Sequence, residues 1–184
     1  MTAPSLPRFF SGQCFSEKQL AAIGAFSIEW GRFDARINMR IGDLLQHSPA
    51  SKDLVAITTH LNWLMKCDLL LSLMRNRLDD SVEPVKTQLR TLGVALRALG
   101  HDRNAIIHGL WYPENEETLV RRIVTARGQV ELSGETITLT WIANVISAIY
   151  QMDAQITSFF GQHHLFATEW HDMHTWPDTD PEPS

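Results

Sequence analysis

The chain has 184 residues, 44% apolar and 20% charged, which suits one domain with a full hydrophobic core. No run of about 18 apolar residues occurs, so the sequence predicts no membrane span, and the start MTAPSLPRFFSGQ lacks the apolar stretch of a secretory leader. The formal charge is −5, but residues 165–184 hold Glu169, Asp172, Asp178, Asp180 and Glu182 and no Lys or Arg, so residues 1–164 are formally neutral and lack the broad basic footprint of a nucleic-acid binder.

Residues 1–15 carry Pro4, Pro7 and Gly12 and read as a loose arm. Ser16 then opens S-E-K-Q, a capping-box pattern with Gln19 three residues on. Ile23, Phe26, Trp30, Phe33, Ile37, Ile41 and Leu44 follow at spacings of three or four and predict one face of a long helix over 16–46. Gly24, Gly31 and Gly42 interrupt it, and their small size points to close approach of another helix. Ser48-Pro49 stops it. A second helix is expected over 51–78, with the stripe Leu54, Ile57, Leu61, Leu64, Asp68, Leu71 and Leu78. Asp68 stands in that stripe where an apolar residue belongs.

The DDS turn at 79–81 precedes a third helix that starts near Glu83-Pro84, with Pro acceptable in a first turn. Its stripe is Val85, Leu89, Leu92, Leu96, Leu99, Arg103 and Ile106, so Arg103 is turned toward other helices or a partner. Gly109 and Pro113 read as the helix stop. TLVRRIVTA (118–126) and VEL (130–132) predict two short strands joined by a Gly turn, and SGETIT a further turn. A fourth helix is expected over 138–162, with the stripe Ile142, Val145, Ile149, Met152, Ile156 and Phe159. The sequence therefore predicts an all-α, four-helix bundle over 16–164 with a small β-hairpin inserted before the last helix. Residues 165–184 form an acidic, loosely ordered tail.

Two cysteines, Cys14 and Cys67, fit no C-x-x-C spacing and read as free thiols in a cytoplasmic protein. His171 and His174 have H-x-x-H spacing, and His163 and His164 precede them, but the acidic, Pro-rich surroundings favour a loose tail. Trp170 and Trp176 suggest that part of the tail packs on something. There is no Gly-rich phosphate loop, no G-x-S-x-G and no paired Cys ligand set, which removes the common nucleotide-hydrolase, serine-hydrolase and structural-zinc readings.

The stretch HDRNAIIHGLW (101–111) is the unusual one. It places Arg103, Asn104 and His108 within six residues at the end of an apolar helix. Asn104 and His108 share a helix face. Arg103 and His108 would diverge by about 140° and be offset by about 7.5 Å on an ideal helix. They meet only if the helix loosens near Gly109, or if two copies bring both pairs into one cleft across a two-fold axis.

R-N-x-x-x-H followed by Gly, late in a four-helix pattern, resembles the motif of the HEPN superfamily: Arg, four to six residues, then His, with a polar residue often directly after the Arg. The long opening helix carrying FSIEW (26–30) is also similar to HEPN-type proteins, and the resemblance covers about residues 16–162. It implies a helical bundle, usually a homodimer with a composite site at its interface. It also implies a metal-independent endoribonuclease, often a toxin or defence effector with a cognate antitoxin or partner protein. Such enzymes cleave RNA by attack of the ribose 2′-hydroxyl on the adjacent phosphate, with no cofactor. Carried onto this sequence, His108 is the general base or acid. Arg103 grips the phosphate and offsets its growing charge, and Asn104 orients His108 or a phosphate oxygen. The inserted hairpin is not something the motif predicts.

Other readings stand beside this one. Arg103 can pair with Asp68 or Asp102 as a structural ion pair, and His108 can serve the negative end of the helix dipole. Weaker supporting candidates are Glu29, with Arg32 at i+3; Lys66, as a phosphate contact or a solvated lysine; and Trp111, with Tyr112, stacking on a base or capping the core. Arg121, Arg122 and Arg127 can supply basic surface if the hairpin lies near the motif. The alternative function is a non-catalytic interaction or ligand-binding module acting through a partner.

Overall fold

The computed structural model describes residues 15–46, 52–78, 83–126 and 130–166. Among them the chain forms five helices and a three-stranded antiparallel sheet: α1 (Glu17–Leu45), α2 (Lys52–Thr59), α3 (Trp63–Arg77), α4 (Val85–Ile107), β1 (Leu110–Pro113), β2 (Thr118–Ala126), β3 (Val130–Thr138) and α5 (Leu139–Gln162). No described helix is long and apolar enough to cross a membrane. The Ser48-Pro49 stop, the DDS turn, Cys14, Arg127 and the tail residues from 167 onward, with Trp170, His171, Asp172, His174 and Trp176, lie outside the described residues, as does the side chain of Arg122.

The described elements fall into two compact units. One takes the chain through Phe33 together with Ala98–Gln151; the other takes Asp34–Arg97 and the chain from Met152. Helices α1, α4 and α5 are divided between them at those points.

In the first unit, the capping box forms as expected. The Gln19 backbone N–H donates to Ser16 Oγ (3.2 Å) and Gln19 Oε1 accepts from the Ser16 N–H (2.9 Å), satisfying two orphan donors of α1. Gln19 does more than cap. It is fully buried, and its Nε2 donates to the carbonyls of Asn115 (2.6 Å) and Thr118 (3.1 Å). One side chain thus ties the start of α1 to the β1–β2 turn. That turn is shaped by Asn115, whose Oδ1 accepts from the N–H groups of Glu117 and Thr118. Phe26, Trp30 and Phe33 of α1 and Ile142, Val145 and Ile149 of α5 are buried on the faces that their spacing predicts.

The sheet is larger than the expected hairpin. β1 pairs with β2 (Leu110↔Arg122 to Pro113↔Leu119), and β2 with β3 (Thr118↔Thr138 to Ala126↔Val130). The SGETIT segment is strand rather than turn. Glu135 stands opposite Arg121 and the two side chains form an ion pair, while Ile137 lies opposite Leu119 and both are buried. These cross-strand pairs hold the register through Gly134. β1 carries little signal in the sequence, being four residues long and ending in Pro, a pattern confined to edge strands.

In the second unit, Ile37, Ile41, Leu44, Leu89, Leu92, Leu96, Met152, Ile156 and Phe159 are buried in accord with their helical periods. The single helix expected over 51–78 is broken. Asn62 takes an extended conformation and its Oδ1 accepts from the Met65 N–H, which makes it the N-cap of α3. The break resets the helical phase. The buried set of α3 is Lys66, Cys67, Leu70, Leu71 and Met74, whereas Ile57 and Leu64, counted in the predicted stripe, are about half exposed. Asp68 therefore faces outward, not into an apolar seam. Gly24 and Gly31 have open space where a Cβ would stand, so neither of these two makes the expected close approach, while Gly42 is buried. A close approach does occur at Gly93, where a Cβ would lie 2.9 Å from Leu71 Cδ1.

Cys67 is fully buried, and burial pushes its thiol up to about 12. An unfolded cysteine ionises near roughly pH 8.5. The neutral thiol's contribution to stability is thus complete below that value and is lost as pH rises toward 12. In a Cys14→Ser background, native protein at pH 8 should resist a thiol-specific chromogenic reagent for hours and react within seconds on adding denaturant. Rapid labelling of the native protein would contradict this burial.

Candidate functional site

The site forms where α4 ends, within the first unit. Leu99 and Ile106 bury the apolar stripe, and Arg103 falls between them in the same row. Its guanidinium carbon stands 6.0 Å from the Trp30 ring centroid, a cation–π separation at the outer limit. The helix closes at Ile107, but the His108 N–H still donates to the Asn104 carbonyl (3.1 Å). The Ile106 carbonyl is capped by the indole Nε1–H of Trp111 (2.8 Å), one of the groups that every helix C-terminus leaves without a partner.

Gly109 makes this ending possible, but not through the left-handed conformation usual at such stops. A Cβ at Gly109 would lie 2.8 Å from Arg121 Cγ and 2.9 Å from the Ala105 carbonyl oxygen. The glycine is required by close packing of β2 against the last turn of α4.

Beyond the last turn, His108 comes back to Arg103. Arg103 Nη1 donates to Asn104 Oδ1 (2.9 Å) and lies 3.0 Å from His108 Nε2. An arginine can only donate, so Nε2 is the acceptor, and the imidazole is neutral with its proton on Nδ1. Both Nη1 hydrogens are committed, Nε is buried without a partner, and Nη2 makes no hydrogen bond among the described residues. Asn104 and His108 are exposed and Arg103 is partly exposed, so the cluster is open to a ligand. Of the two routes by which Arg103 and His108 can meet, the helix end supplies one within a single chain.

The surrounding charges set Arg103 apart. In the same unit Lys18 is paired with Glu117 (2.7 Å), Arg32 with Glu29 (2.7 Å) and Arg121 with Glu135. Among the described residues Arg103 reaches only neutral acceptors. Asp102, beside it in sequence, lies 3.9 Å from His101, and burial holds its carboxyl above the usual carboxylate range. Arg121 does lie against the motif, through Gly109, but its charge is answered by Glu135.

The weaker candidates fall elsewhere. Asp68 pairs with Arg97 (2.7 Å), not with Arg103. Lys66 is neither a solvated lysine nor a phosphate contact: it is buried and held by both carboxylate oxygens of Asp34 (2.9 and 2.7 Å). Both belong to the second unit. Glu29 is engaged by Arg32, and Trp111 by the Ile106 carbonyl. His163 packs its ring on Phe159, 4.4 Å between centroids. No group of three or more His, Cys, Asp or Glu side chains among the described residues is arranged to hold a metal ion. The residue missed by sequence reasoning is Trp30, which the period assigned only to the core. The chain matches no protein-family model, no curated protein and no solved structure.

Gly109→Ala should destabilise the protein by about 1–3 kcal/mol, the range for forcing a methyl into a packed site, measured by urea denaturation. An unchanged midpoint would mean that β2 moves aside freely and the helix end is not fixed by this contact.

Proposed function

We propose that this protein is a HEPN-type endoribonuclease that needs no metal, with Arg103 and His108 as its catalytic pair and Asn104 in support. The observation that carries the reading is the 3.0 Å approach of Arg103 Nη1 to His108 Nε2: an arginine with no carboxylate partner among the described residues, touching an imidazole in an accessible position.

The chemistry follows from that contact. An RNA phosphate offers Arg103 better acceptors than an imidazole nitrogen, because its oxygens carry negative charge and can engage the planar guanidinium fork bidentately. On binding, the phosphate draws the guanidinium toward its non-bridging oxygens and frees the Nε2 lone pair. His108 then takes the proton of the ribose 2′-hydroxyl. The 2′-oxygen bonds to phosphorus, the P–O5′ bond breaks, and the leaving 5′-oxygen is protonated by the imidazolium or by water. The products are a 2′,3′-cyclic phosphate and a 5′-hydroxyl. Arg103 offsets the negative charge that builds on the phosphorane oxygens, and Asn104 keeps the guanidinium placed. A toxin or defence effector restrained by a partner is the setting that the resemblance suggests.

A mixed RNA pool incubated with wild-type protein in EDTA should yield 2′,3′-cyclic phosphate ends. Arg103→Ala and His108→Ala should lower the cleavage rate by at least 100-fold, in keeping with the loss of a positioned acid–base group. Cleavage that survives His108→Ala would sink this assignment. No cleavage by folded wild type would favour the non-catalytic binding module, a reading supported by the full commitment of Nη1 within the chain.

A homodimer belongs to the same proposal. Ile107 and Leu110 flank His108 and are 40% and 55% exposed, an apolar border that a second copy would cover. Light scattering after size exclusion should give about twice the 20.9 kDa chain mass, and Leu110→Glu should shift the protein to monomer. A wild-type monomer at tens of micromolar would refute the dimer.

A further inference from the structure

The second unit contains a cleft of about 300 Å³ between the first half of α4 and the last half of α5, lined by Thr87, Gln88, Thr91, Leu92, Gln155, Ser158, Phe159 and Gln162. No ionisable side chain lines it. The Gln88 side-chain oxygen is buried and has no hydrogen-bond partner, which is costly for an acceptor unless something supplies a donor. The carboxamide of Gln155, across the cleft on α5, likewise makes no hydrogen bond among the described residues. The two threonine hydroxyls have spent their protons, Thr91 on the Thr87 carbonyl and Thr87 on Glu83, while Ser158 Oγ accepts from Gln162 Nε2 (3.2 Å). Leu92 and Phe159 supply the apolar part of the wall.

We propose that this cleft binds an uncharged nucleobase. Three features select that class. A carboxamide presents a donor beside an acceptor, whichever way the amide is turned, and its complement is a flat edge carrying the same pair, as every nucleobase does. Leu92 and Phe159 offer apolar surface for the ring. The absence of a lining cation, with the Glu83 carboxylate held by Thr87, leaves nothing to recognise a phosphate, which must project out of the cleft. The volume is at the lower end for small-molecule sites and fits one base rather than a dinucleotide. The base can come from a free nucleoside or from an RNA strand.

Titration calorimetry of the full chain with adenosine, guanosine, cytidine and uridine, and with ribose, tests this. At least one nucleoside should bind saturably and ribose should not. Its 5′-monophosphate should bind no more tightly than the nucleoside. Gln88→Met and Gln155→Met should each weaken binding about tenfold, with thermal melts showing both variants folded; Gln155 is exposed, so its variant decides the matter if Gln88→Met unfolds. A trinucleotide with blocked 2′-hydroxyls that binds more tightly than the nucleoside, with the same Gln88 dependence, identifies an RNA strand as the source; equal or weaker binding identifies the free nucleoside. Absence of saturable nucleoside binding, binding of ribose alone, a monophosphate at least tenfold tighter, or affinity unchanged in both variants would each overturn the proposal. Binding is read without turnover, so its failure leaves the ribonuclease reading untouched.

Discussion

The close approach at Gly109 is the constraint on which the candidate site depends. On a continuing helix, positions 103 and 108 point about 140° apart. They meet where α4 ends at Ile107, and just beyond that end Arg121 of β2 and the Ala105 carbonyl pack so closely that only a glycine fits at 109. Trp111, the Cα partner of Arg121 in the β1–β2 ladder, then turns its indole back to cap the Ile106 carbonyl. The sheet is thus no mere insertion: its first two strands fix the end of the helix that carries the motif. Gln19 anchors the same β1–β2 turn from the other side, through two carbonyls that its buried amide reaches.

Charge is distributed with equal economy. A chain whose residues 1–164 are formally neutral cannot attract a polyanion by net field. What matters is which cations remain uncancelled. Lys18, Arg32 and Arg121 each face a carboxylate, and so do Lys66 and Arg97 in the second unit. Arg103 faces an amide and an imidazole. A guanidinium over an aromatic ring with no carboxylate partner among the described residues is a weak feature in bulk charge but a strong one at short range, where a phosphate can exploit the planar fork.

Much of this was legible in the sequence, and the reasons are specific. α1, α4 and α5 are long and amphipathic, so several turns of periodic signal fix their buried faces, and Phe26, Leu96 and Ile149 lie where the spacing puts them. The helix expected over 51–78 failed because Asn62 reads as an ordinary polar residue within a periodic run; its role as a cap depends on the backbone turning extended there. The phase error that followed misplaced Asp68 and made it look like a partner for Arg103. SGETIT reads as a turn because Ser and Gly punctuate most loops. Its strand character comes from Glu135 and Ile137 finding Arg121 and Leu119 across the ladder, pairings invisible without the register. Arg103, Asn104 and His108 stood out on residue type alone. Their contact did not, since it hinges on packing at a glycine whose neighbour lies twelve residues on.

The bland explanation of the cluster is that it caps a helix. Basic side chains at a C-terminus do so by donating to the last carbonyls or by meeting the dipole's negative end. Those duties are filled by other groups here: the His108 backbone N–H serves Asn104, and the Trp111 indole serves Ile106. Arg103 donates to no backbone carbonyl among the described residues. It spends both Nη1 hydrogens on side chains that water would satisfy as well, in a partly exposed position where such bonds add little to stability. Ordering three side chains for so small a return costs conformational entropy. A leucine at 103 would continue the apolar stripe and bury more surface. The arginine therefore makes poor sense as a stabilising residue and good sense as a binding one, with Asn104 and His108 holding its guanidinium in place until an anion arrives.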